Sequence, residues 1–177
     1  MTKRKAKGKR QTLNSKAKSL MYQEVDLEHY LNDKPTTEQK IKFAELAVDE
    51  IRSRTLQNED INGKKFTKYT KDYAKEKGVS RSDVNLFVEG KLLDGVGRRK
   101  SKEKSNTVFI QMKKGKETLK AHGHNKGYSK GKLPQREFFG ITDDEAKKIA
   151  QKVKESTPKR TLADLKLQLG EQDESEG

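Results

Sequence analysis

Leu133-Pro134-Gln135-Arg136-Glu137-Phe138-Phe139-Gly140-Ile141-Thr142-Asp143-Asp144-Glu145 is the stretch on which the reading of the fold turns. Pro134 fixes an extended approach, and Phe138 and Phe139 are suited to anchoring a loop in a core. Gly140 allows a turn that a side chain would resist. Thr142, followed three residues later by Glu145, is a capping box, with acids placed where a helix N-terminus favours them. Ala146, Ile149, Ala150 and Val153 then share one face, so a helix is predicted over 143–156, ended by Pro158. Arg136 can reach a carboxylate or backbone carbonyls with both arms of its fork. Either these residues anchor a loop within the chain, or Arg136 and the aromatics face a neighbouring subunit, where such residues often carry the binding energy.

Working outward, a second capping box stands at Thr36 and Gln39, followed by Ile41, Ala44, Ala47, Val48 and Ile51 at helical spacing. That predicts an amphipathic helix over 37–57. Thr107-Val-Phe-Ile-Gln-Met112 is the clearest strand. Between them, Asn62-Gly63 marks a turn, and Phe66, Tyr69 and Tyr73 are spaced for a short helix with an aromatic face, with Gly78 as its C-cap. Val84–Val88 reads as a brief extended segment and Gly90–Asp94 as a helical turn. Residues 97–106 and 125–132 read as loops, with a short helix over 116–123. Residues 20–34 suit a short helix or a docking segment. The pattern implies an α+β fold, a small antiparallel sheet packed with two main amphipathic helices.

The 177 residues carry 41 Lys and Arg against 27 Asp and Glu, a net charge of +14. Leu, Ile, Val and Phe together number 35, near the border at which a chain stops being able to bury a core of its own. The charge is localised. Residues 1–18 hold eight bases and no acid, and residues 98–136 hold thirteen bases against Glu103 and Glu117. Glu171, Asp173, Glu174 and Glu176 follow Leu169 with no base. Three regions follow: a basic arm, 1–18, extended or disordered; an α+β domain, 19–157; and a C-terminal segment, 158–177, with a short helix from Thr161 to Leu169 and an acidic tail.

Several chemistries are excluded or weakened. Without Cys there is no disulfide, thiolate zinc site, Cys nucleophile or iron–sulfur cluster. No run approaches the length of a membrane span, and no apolar stretch follows the basic N-terminus as a secretory signal requires. His122 and His124 supply two imidazoles where a metal site needs further ligands, and His29 is far away in sequence. His122 reads best as a satisfied internal hydrogen-bonding residue. Gly115-Lys116-Glu117-Thr118 lacks the spacing of a phosphate loop, and no Gly-x-Ser-x-Gly is present. No catalytic, cofactor or metal residues are expected. Arg98, Arg99, Lys100, Lys102, Lys104, Lys126, Lys130 and Lys132 are suited to backbone contact with DNA or to an acidic protein partner. No RNA-recognition signature accompanies them, and Tyr128 is the only aromatic in the Gly/Lys loop.

Taken in order, four segments resemble the bacteriophage virion-morphogenesis or tail-completion proteins, a group similar to the small neck and tail components of tailed phages. They are Phe66 to Tyr73-Ala74; Leu86-Phe87-Val88-Glu89-Gly90-Lys91-Leu92; Lys120-Ala121-His122-Gly123-His124 with Gly127; and Leu133 to Thr142. Glu89 stands where the family has Thr or Ser, and Gly95 where a Ser often follows. The resemblance spans roughly 37–155. It implies a non-enzymatic virion protein at the neck or head-proximal end of the tail, assembled in the host cytoplasm. It further implies a closed homo-oligomeric ring of about six copies that meets neighbouring neck and tail-tube proteins and joins tail to head. Arg136, Phe138, Phe139, Gly140 and His122 become interface or loop-anchor residues, and the basic stretch faces packaged DNA or an acidic ring. No membrane and no cofactor enter. The competing reading is a basic nucleic-acid-binding accessory protein.

Overall fold

The computed structural model describes residues 21–86, 91–98, 106–113, 115–127 and 133–157. In chain order these form β1 (Tyr22–Asp26), α1 (Glu28–Leu31), α2 (Thr37–Leu56), α3 (Lys71–Lys77), α4 (Lys91–Asp94), β2 (Val96–Arg98), β3 (Thr107–Met112), α5 (Lys116–Lys126) and α6 (Asp143–Ser156). The architecture is α+β: a three-stranded antiparallel sheet in the order β1-β3-β2, with the two long helices packed on it.

The period of two along each strand explains which face the helices cover. Val25 lies opposite Val108, and Val96 opposite Met112, so Val25, Val96, Val108, Ile110 and Met112 share one apolar face. All five are buried to 2% exposure or less, each side chain contributing about 1.5–3 kcal/mol on leaving water. On the other face Tyr22 tilts against Phe109 with ring centroids 5.9 Å apart. The helix α2 crosses β3 and β2, presenting Phe43, Ala44, Ala47, Val48 and Ile51, and its far flank packs on α6 through Ala146, Ile149, Ala150 and Val153. One cluster of buried residues runs from Met21 to Val153.

Both capping boxes form as the sequence implies. The Thr36 hydroxyl accepts from Gln39 N while the Gln39 side chain accepts from Thr36 N, and Thr142 and Glu145 repeat the pair. Gly78 ends α3 in the left-handed region, α4 forms over the predicted turn, and Thr157 closes α6 just before Pro158.

Five expectations are corrected. Residues 21–34 do not form one helix: Tyr22–Asp26 alternates and pairs with Thr107–Gln111 of β3, leaving only one turn, α1, behind it. The aromatic helix over 66–74 begins at Lys71, because Thr70 takes the N-cap and accepts from Tyr73 N. Phe66 and Tyr69 instead lie in extended chain, donating through their backbone N–H to Asn58 O and Arg81 O. The extended reading of 84–88 fails at Leu86, whose φ of 58° is left-handed. The loop predicted from residue 97 still holds strand residues, since Gly97 and Arg98 pair with Gln111 and Ile110. Finally, α5 runs through Gly123 to Lys126 and stops only at Gly127, whose N–H donates to Gly123 O.

The glycine at 95, a departure from the resembled pattern, has a steric reason: a Cβ there would meet Met112 Cε at 2.9 Å and Leu92 O at 3.1 Å. The basic arm 1–18, the C-terminal helix and acidic tail, and Tyr128 lie outside the described residues. No described helix is long and apolar enough to cross a membrane.

Candidate functional site

The segment 133–142 threads between α5, the 58–69 segment, α2 and β1, and nearly every polar group along it is bound. Arg136 N donates to His124 O at 2.6 Å, Phe139 N to Asn125 Oδ1 at 3.0 Å, and Ile61 N to Glu137 O at 2.8 Å. The Gln23 side chain then acts as a short extra strand: its Nε2 donates to Ile141 O at 3.0 Å and its Oε1 accepts from Ile141 N at 2.8 Å. Gly140 adopts a φ of 110°, and a Cβ there would come within 3.1 Å of Gln23 Oε1 and 3.3 Å of Ile61 Cδ1.

Phe138 is fully buried and Phe139 is 5% exposed, the two rings edge-to-face at 6.4 Å. Both are spent on this chain's own core, which favours loop anchor over subunit contact for the pair. Arg136 is 3% exposed. It grips one carbonyl, Nη2 donating to Thr67 O at 3.1 Å, and lies over the Tyr69 ring at 5.1 Å, with no carboxylate partner among the described residues. The expected two-armed grip is thus replaced by one hydrogen bond and a cation–π contact. Burial presses the Arg136 guanidinium below its ordinary value and lifts the Tyr69 phenol above its own. Tyr69 also packs against Tyr73, ring centroids 4.8 Å apart and the rings tilted, and Lys77 sits over Tyr73.

His122 and His124 belong to α5 rather than to a loop. Two residues apart on a helix, they point to different sides and cannot share a metal. Among the described residues no group of three or more His, Asp or Glu is placed to hold one. Burial, helped by Arg136 and Lys120, pushes His124 down to about 4; burial and then Lys126 lower His122. The reading of His122 as a satisfied internal residue is corrected: its Nε2 is buried without a hydrogen-bond partner, as is Nδ1 of His124. Of the basic contact residues, Arg98 is half-buried on β2 opposite Ile110, and Lys126 is exposed at the end of α5. Arg99, Lys100, Lys102, Lys104, Lys130 and Lys132 lie outside the described residues.

Arg54 is the residue sequence reasoning passed over. At 6% exposure it pairs with Glu145 Oε1 at 2.5 Å and donates from Nη2 to Phe138 O at 2.9 Å and Gly140 O at 2.7 Å. Its signal was present, since Arg54 continues the stripe of Ala47 and Ile51 on the apolar face of α2. Glu145 therefore serves twice, capping α6 through Oε2 and neutralising Arg54 through Oε1. Between α2 and α6 a solvent-open groove of about 540 Å³ is lined by Glu50, Arg54, Gln57, Glu145, Lys148 and Lys152 among others. Its carboxylates and cations alternate, so it selects no single sign of ligand charge.

Searched against family models, curated proteins and solved structures, the chain matches none.

Proposed function

We propose that this chain is a structural virion protein of a tailed phage, acting at the neck or head-proximal end of the tail as one subunit of a ring that completes the tail and joins it to the head. One observation carries the reading: three of the four resembling segments, far apart in sequence, meet at Arg136. The 66–73 segment supplies Thr67 O and the Tyr69 ring, the 120–127 segment supplies His124 O, and the 133–142 segment supplies Arg136 itself. The order of these segments and their meeting around one anchor support the reading. The small hydrophobic share of the sequence agrees with a subunit that completes its burial against neighbours.

Sedimentation velocity of the full chain, alone and mixed with the neck and tail-tube proteins, tests the reading. A closed oligomer in either condition is expected; a monomer in both overturns it. The exposed lysines favour one rival, a nucleic-acid-binding accessory protein. That rival requires tight binding to free duplex DNA, with log K falling steeply against log salt.

A further inference from the structure

We infer that the outer face of α5 is the docking site for the C-terminal segment 161–177 of a neighbouring copy. Leu119, at 61%, is the most exposed large hydrophobic side chain among the described residues. Exposed Lys116 and Lys120 flank it on the helix, and exposed Lys113 and Lys126 stand at either end. Glu117, paired with Lys120 at 3.0 Å, is the only acid of α5. His122 and Lys126 continue the Leu119 stripe at i+3 and i+7. The face therefore offers one apolar knob and a surplus of cations.

The C-terminal segment is its complement. Leu162, Leu165 and Leu169 recur at helical spacing, and Glu171, Asp173, Glu174 and Glu176 follow with no base. The leucines match Leu119 and the acids match the lysines. The ring reading makes a neighbouring copy the donor of this segment.

The inference rests on the ring reading, and the test separates the two. A fluorescent peptide of residues 158–177 is titrated into the full-length protein and followed by anisotropy. Saturable binding is expected, weakened about tenfold by Lys116→Glu with Lys120→Glu and by Leu119→Ser. These side chains are solvent-exposed, and circular dichroism verifies that the variants stay folded. A peptide carrying Glu171→Lys and Glu174→Lys is expected to bind the charge-reversed protein better than the original. Equal peptide affinity for all variants overturns the inference. So does a protein that ignores the peptide but binds duplex DNA through the same lysines. Sedimentation of the full-length charge-reversal variants keeps the readings apart: an undiminished ring refutes the docking site alone, whereas a wild-type chain that never assembles refutes both.

Discussion

Replacing Arg54 by alanine leaves half-buried Glu145 without its cation and two carbonyls of the 138–140 turn without a donor. Breaking one side of such a pair costs about 3–5 kcal/mol, so Arg54→Ala is expected to shift the urea midpoint by far more than a surface Arg→Ala change. Gly140→Ala, which forces a side chain into φ 110° against Gln23, is expected to lose about 1–3 kcal/mol by the same measurement. His124 adds a pH dependence. Its imidazole is held down to about 4 in the folded chain against 6.5 when unfolded, so between these values the unfolded state binds more protons. Stability should be complete above about pH 6.5, fall as pH drops toward 4, and level off below, a loss of about 3 kcal/mol in all. His122 contributes in the same direction. Asp143, held low chiefly by Lys147, acts only below 3.8. Urea titrations of His124→Gln across pH 4 to 7 should therefore show most of that slope removed; an unchanged slope contradicts the assignment.

At the scale of elements, the two capping boxes are not equivalent. Thr36→Ala removes one cap and should cost about 1 kcal/mol. Thr142→Ala also loosens Glu145, which Arg54 shares, so the loss should be larger and non-additive with Arg54→Ala in a double-mutant cycle. The same contrast explains what was legible in the sequence. Capping boxes, the left-handed Gly78 and the β3 strand were readable because their causes lie within a few residues. The strand β1 was not: Tyr22–Asp26 is held by β3, some eighty-five residues away, and its Gln23 earns its burial from Ile141. Likewise Phe66 and Tyr69 have helical spacing but are claimed by Asn58 and Arg81. At the candidate site Phe138, Phe139 and Gly140 were legible as an anchor, whereas the Tyr69 partner of Arg136 and the orphaned nitrogen of His122 depend on contacts no local pattern encodes.

For the whole molecule, the charge of +14 suggested a nucleic-acid binder until it was divided. Residues 1–18 and 98–136 carry more than the whole of that excess and leave the rest of the chain at −5, while the folded body is built of capped helices on a small sheet. Such a body has a small core and, outside the two basic stretches, a near-neutral to acidic balance. The central claim is the proposed assembly into a ring, and electron microscopy of the purified full-length protein, alone and with the proposed tail-tube partner, tests it most directly. Class averages of a closed ring with a central opening are predicted. Isolated single subunits in both samples would contradict the account.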